Sequence, residues 1–213
     1  MKKVIVSLSL LTAIAVFGAA KLFQLMPTPI GTAVIADKAE DGKIGGQAAT
    51  LLPSNLSVDQ GRLLIRAYEI AKADGHKNPE IVQAVLLQET QAGGMKSYRV
   101  ANPGPEAYFG AMQIKLVAAK DVLARWPILF SKYGLHTRTD DEIKANLILN
   151  DRFNLEIGSK YLLILERDYG FKGQELMNAY NRGAGGVKAA GDNWHYAREA
   201  TLKLAAYKQS RKN

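Results

Sequence analysis

The chain has 213 residues, no cysteine and a formal charge of +8 at pH 7. That length is ample for one domain with a real core plus a short leader, and the absence of thiols excludes disulfide scaffolds and cysteine nucleophiles. Hydrophobic residues make up 47% and charged residues 23%, an ordinary globular balance that excludes low-complexity and repeat architectures.

Met1-Lys2-Lys3 is a basic opening, and Val4 to Ala20 is an uncharged apolar run that ends in the small residues Gly18-Ala19-Ala20. This pattern predicts a signal peptide over 1–20, cleaved after Ala20. The run is long for a signal, so an uncleaved N-terminal membrane anchor stays open. Both readings export the remainder, to the periplasm or cell envelope. Lys2 and Lys3 carry two of the positive charges, which leaves +6 on the exported part. A basic exported protein is drawn to anionic wall polymer or lipid headgroups rather than to nucleic acid, or is merely kept soluble by its charge. Residues 21–56 read as a linker: Pro27, Pro29, Gly31, Gly42, Gly45, Gly46 and Pro53 interrupt any periodicity.

The folded part is predicted over 57–213. Ser57-Val58-Asp59-Gln60 suits a helix start, and Leu63, Leu64, Ala67, Ile70 and Ala71 form a helical stripe that ends near Gly75. A second helix begins with Asn78 as N-cap and Pro79 at the first helical position. Ile81, Val82, Val85 and Leu86 share one face, Glu89 falls in its middle, and the helix is predicted to stop at Gly93-Gly94. An unpaired carboxylate on a buried face stays protonated, which is what a general acid needs. The competing reading is a structural Glu held by an Arg or Lys.

Met95 to Phe109 reads as a Pro- and Gly-rich loop, and Met112 to Trp126 as a helix broken by Pro127. Thr139-Asp140-Asp141-Glu142 is a capping box that opens a helix through Leu149. Further helices are predicted over Asp151 to Tyr169, over Gly173 to Asn181 (closed by Gly183, Gly185 and Gly186), and over Asn193 to Gln209. Strand signals are nearly absent, so the fold class is mainly α. Without heptads or an exposed apolar stripe, a monomer is expected.

Metal chemistry finds no support: His76, His136 and His195 lack ligand spacing and read as surface or capping residues. No nucleophile elbow surrounds a serine. Gly183 to Gly186 is not a phosphate loop, because no strand precedes it. Trp126 and Trp194 read as core aromatics, with stacking on sugar rings as the alternative for each. No cofactor is predicted.

Four segments stand out in order: Gln88-Glu89-Thr90; Gly110-Ala111-Met112-Gln113-Ile114, read as a glycine before a helix start; Asn154 to Leu162, with Gly158 and Tyr161; and Asn178-Ala179-Tyr180-Asn181-Arg182-Gly183. Together they resemble the lytic transglycosylases of the soluble-lytic-transglycosylase (SLT) type, whose pattern is Glu-Ser, Gly-Leu-Met-Gln, an Asn…Gly…Tyr-Leu helix and Ala-Tyr-Asn. The resemblance runs from about Val58 to Tyr207. It implies a goose-lysozyme-like helical domain that cleaves the glycan strand of peptidoglycan. Glu89 would be the single catalytic acid/base. Thr90 stands where the family has Ser. Gln113, with the backbone of Gly110 and Met112, would line the sugar groove. Tyr180 would hydrogen-bond near the Glu and the scissile oxygen, and Asn181 would contact glycan or hold the turn. Tyr196 matches a Tyr of the family's last helix and would face the groove. Asn154, Gly158 and Tyr161 would support the helix behind the site.

The chain departs from the family at Ala111, where Leu is usual, at Ala107-Tyr108 and at Arg182. Its stretch from Glu89 to Gly110 is also longer, so Gly93, Gly94, Tyr98, Asn102 and Pro103 would shape the cleft. No second carboxylate sits in a motif, and Glu106, Glu156, Glu166 and Glu175 read as ordinary. A goose-type muramidase would need such a second acid. A non-catalytic wall-binding component of a secretion, conjugation or phage apparatus is the third alternative. Cell-envelope machinery is the expected kind of protein partner.

Overall fold

Helix signals dominate the sequence because caps and breakers recur at helical intervals. The computed structural model of the chain describes residues 56–94, 100–101, 107–189 and 194–211. The signal or anchor and nearly all of the linker lie outside the described residues, as do Tyr98, Asn102, Pro103 and Glu106. Among the described residues no helix is long and apolar enough to cross a membrane.

The fold is mainly α. Helix α1 (Val58–Asp74) opens on a complete capping box, in which Ser57 and Gln60 each accept the other's backbone N–H, and ends on left-handed Gly75. Helix α2 (Glu80–Thr90) starts after Pro79 without a side-chain cap, so Asn78 does not act as the N-cap predicted for it. The helix also ends earlier than predicted. Gln91 and Ala92 already turn left-handed, with φ of 52° and 56°, ahead of Gly93-Gly94. Residues Ile81 to Leu87 are buried all round, so α2 is a core helix rather than an amphipathic one.

Three two-residue strands follow, β1 (Val100–Ala101), β2 (Tyr108–Phe109) and β3 (Ile114–Lys115), joined antiparallel in that order. Within the loop predicted over Met95 to Phe109, β1 and β2 take described positions while residues 95–99 and 102–106 lie outside the described residues, and β3 replaces the start of the predicted Met112 helix. Strands of two residues carry no readable alternation. Helix α3 accordingly begins at Leu116 and runs to Arg125, and Pro127 then opens a short α4 (Ile128–Lys132) that has no sequence forecast.

Helix α5 (Asp140–Leu149) is capped by Thr139, but Glu142 does not return the bond to the cap as a capping box would. Its carboxylate instead accepts the backbone N–H groups of His136, Thr137 and Arg138. Helix α6 (Asp151–Tyr169) has the predicted bounds, set by Asn150 at one end and left-handed Gly170 at the other. Helix α7 (Gly173–Ala189) runs past Asn181 and kinks at Gly183, where φ is 74° and ψ 162°. Helix α8 (His195–Ser210) closes the fold.

Helix α6 is the central element, buried from Phe153 to Lys160 and packed on α1, α3, α5 and α7. Helix α8 lies against α2 and α7. Two side chains depart from their sequence reading here. His76 is buried, its Nε2 3.0 Å from the Ser159 carbonyl and 3.1 Å from Ser159 Oγ, because the turn after α1 tucks against α6. Glu156 is no ordinary helix residue either. It is buried and accepts from Lys132 Nζ and Tyr133 Oη, each at 2.5 Å.

Candidate active site

A carboxylate at the C-terminal end of a helix faces the negative end of the helix dipole and unpaired carbonyls. Glu89 has this position, one residue before the end of α2. It is half-buried, and burial raises its proton affinity from the usual 4.5 to about 7. Two groups pull the other way: the Tyr196 hydroxyl, which donates to Oε1 at 2.5 Å, and the Lys203 cation. Among the described residues no carboxylate acts on it. A carboxyl poised near neutrality can both give and take a proton.

The floor beside it is the turn between β2 and β3, Gly110 to Gln113. Gly110 has φ of 71°, and a Cβ there would stand 2.2 Å from both Asn154 Nδ2 and the Leu147 carbonyl. Only glycine lets the turn lie this close on α5 and α6. Asn154, fully buried, holds the turn through its amide. Its Oδ1 accepts from Met112 N at 2.7 Å, and its Nδ2 donates to the carbonyls of Phe109 and Leu147. Gly158, one helical turn further along α6, makes room for Met112: a Cβ there would meet its Cε at 2.9 Å. Thr90 ties the end of α2 to the same turn by donating to the Ala111 carbonyl at 2.8 Å, and it accepts from Gly93 N. The segment predicted as a glycine before a helix start is therefore a hairpin turn.

Gln113 is half-buried and left-handed, with φ of 48°, and its amide donates back to the Gly110 carbonyl at 2.8 Å. Tyr180 is buried, its hydroxyl donates to the Met112 carbonyl at 2.7 Å, and its ring meets Tyr161 edge-on. Its bond therefore goes to the turn rather than to the acid, while its own ionisation is opposed first by burial and then by the Glu89 charge. Asn181 is exposed on α7 just before the kink.

The structure thus brings Glu89, Thr90, Gly110, Met112, Gln113, Tyr180 and Tyr196 together from four separate stretches. Lys203 carries no motif and escapes the sequence reading. Asn178, placed by sequence in the fourth segment without a role, is buried and accepts from Ala197 N at 3.2 Å, which caps α8 from a neighbouring helix. The first residue before α8, Trp194, offers no side-chain cap of its own. Among the described residues no three His, Cys, Asp or Glu side chains gather into a metal site.

Comparisons with protein-family models, with curated proteins and with solved structures find no match to this chain. The chemistry of the site therefore rests on its own geometry.

Proposed function

We propose that this chain is an exported peptidoglycan lytic transglycosylase with a goose-lysozyme-like fold, in which Glu89 is the single acid/base. The observation that carries this reading is the Glu89 carboxyl, raised to about 7 by burial and held by a phenol from the last helix. The order of the surrounding parts supports it: acid at the end of one helix, Gly-x-Met-Gln turn, Asn…Gly…Tyr helix, then Tyr180 and Tyr196. The fold and the wall-directed activity both follow from that resemblance. The excess positive charge suits a substrate embedded in anionic envelope polymer.

Glycosidases commonly place two carboxylates across the scissile bond. Here Glu89 protonates the oxygen of the bond between N-acetylmuramic acid and N-acetylglucosamine. The 2-acetamido group of the muramic sugar stabilises the positive charge that develops, as in substrate-assisted enzymes. The Glu89 carboxylate then takes the proton of that sugar's own C6 hydroxyl as its oxygen bonds to C1. The products are a freed glycan end and a 1,6-anhydromuramic end. Glu89 is protonated again and no water is consumed. Gln113, Asn181 and Tyr196, which keep surface exposed, line the sugar groove, and buried Thr90 and the Gly110 to Met112 turn brace it from behind.

Mass spectrometry of muropeptides released from purified peptidoglycan tests this reading. Products lighter by one water than hydrolysed muropeptides, and absent with Glu89→Gln, are expected. Hydrated reducing ends would instead make the protein a muramidase. No release by the wild type would leave a wall-binding component of an envelope machine.

A further inference from the structure

Helix α2 ends in a conformation that its residues resist. Gln91 and Ala92 both carry side chains, yet they stand left-handed at φ of 52° and 56°, a region that residues other than glycine adopt only at a cost. Such residues persist where their surroundings hold them, and they gather at functional sites. Glu89 lies two residues before Gln91. Two ties hold the turn. Thr90 fastens it to the β2–β3 turn, accepting from Gly93 N at 2.9 Å while donating to the Ala111 carbonyl. The other tie comes from the start of α1, where Gln60 Nε2 donates to the Gln91 carbonyl at 2.6 Å. Oε1 of the same amide accepts from Ser57 N at 2.8 Å as half of the capping box, so the cap orients the donor. Gly94 closes over this amide: a Cβ there would stand 2.2 Å from Gln60 Nε2 and 2.9 Å from its Cδ. Gly94 itself is not left-handed, so what it supplies is room for Gln60.

We propose that Gln60 is a positioning residue for Glu89: its amide clamps the strained turn that ends α2 and so fixes the backbone from which the acid projects. This rests on the reading of Glu89 as acid/base and deepens it. One side chain does two jobs, since its oxygen caps α1 and its nitrogen holds the end of α2, 31 residues further along the chain. An acid moved by about 1 Å from its target loses much of its rate. Gln113 and Asn181, on other elements, keep their places in the groove. Loss of the clamp therefore lowers kcat and leaves KM near its wild-type value.

Three readouts in the full chain test this. Hydrogen exchange at Ala92 and Gly93, whose N–H groups bond the Leu86 carbonyl and Thr90 Oγ1, reports on the turn. The Glu89 carboxyl-carbon NMR signal, assigned by its loss in Glu89→Gln, reports on the acid. Release of glycan fragments gives kcat and KM. Gln60→Met removes the clamp together with one bond of the capping box. Ser57→Ala removes the other bond of the box and spares the clamp. Gly94→Ala spares the box and crowds the amide off Gln91. Gln60→Met and Gly94→Ala should speed exchange at both amides by about fivefold or more, as for one lost hydrogen bond, move the Glu89 signal and lower kcat. Ser57→Ala should do none of these. An unmoved Glu89 signal in a folded Gln60→Met would overturn the proposal, whatever the exchange. Equal effects in Ser57→Ala would overturn it too, by reducing Gln60 to a helix cap. If Gln60→Met fails to fold, an unmoved Glu89 signal in Gly94→Ala would overturn it in the same way. Moved signals in a protein that cleaves no glycan would sink the transglycosylase reading alone, and cleavage with unmoved signals would sink this proposal alone.

Discussion

Glu89 is held at a cost to the fold. Its proton affinity is about 7 in the folded chain against 4.5 when exposed, so between those values the folded state binds more protons than the unfolded one. Stability therefore falls as pH rises through that window, and above it the ionised carboxylate costs on the order of 3 kcal/mol. Glu89→Gln removes the charge and keeps the shape. The variant is expected to be inactive on glycan yet more stable than wild type at pH 8, with the two converging near pH 4. Urea unfolding at both pH values measures this, and a variant no more stable at pH 8 would contradict the burial argument. Tyr180 shows how neighbouring residues divide the work: it braces the turn through the Met112 carbonyl, while Tyr196 reaches the acid.

Elements matter here through the joints between them. The β2–β3 turn is pressed against α5 and α6 at Gly110, where a Cβ would strike a backbone carbonyl and the Asn154 amide at 2.2 Å. Neither neighbour can swing away, and φ of 71° is itself strained for a side chain. Gly110→Ala is expected to cost at least about 2 kcal/mol, visible as a large drop in Tm. A native Tm would mean that the turn lies further from α6 than described. The start of α8 depends on Asn178 in the same way, since its amide oxygen takes a buried N–H of the first turn. Asn178→Ala leaves that donor unpaired, at about 1–3 kcal/mol, and frees the segment that aims Tyr196 at Glu89. Hydrogen exchange at Ala197 should rise in this variant while the α6 amides stay protected. Uniform loss of protection would show global unfolding rather than a loosened cap.

At the scale of the molecule, two buried groups oppose each other in the pH dependence of stability. His76 is lowered from 6.5, first by burial, and its Nδ1 is buried without a hydrogen-bond partner, 3.9 Å from Glu166. Below 6.5 the unfolded chain takes up this proton first, so stability falls with acid. Glu89 does the reverse over much of the same range, because acid relieves its charge. Glu156 joins only lower. Burial alone would raise it, but Lys132 and Tyr133 outweigh burial and hold it below 4.5, so its contribution is present above 4.5 and lost in stronger acid. Between pH 6.5 and 4.5, wild-type stability should therefore fall less with acid than that of Glu89→Gln, which loses the opposing Glu89 contribution and should lose stability from about pH 6.5 downward. Urea midpoints for both proteins across that interval check the balance, and a flat profile for the variant would remove His76 from the account.

The sequence by itself determined where most helices start and stop, because caps and breakers act within a few residues of the bonds they make. Ser57 with Gln60, Thr139, Asn150 and the glycines after α1 and α6 are all legible in this way. Glu89 was also legible as the odd polar residue on an apolar face. Only the tertiary structure decided the rest. Two-residue strands have no period to read, and they exist because the turn is pinned by Asn154 from far along the chain. His76 and Glu156 are buried by partners that local pattern does not name. The proton affinity of Glu89 depends on how much water its surroundings exclude and on Tyr196 and Lys203, which arrive from the far end of the chain. Burial and charge are properties of distance in space, and spacing along a sequence does not contain them until the helices have packed.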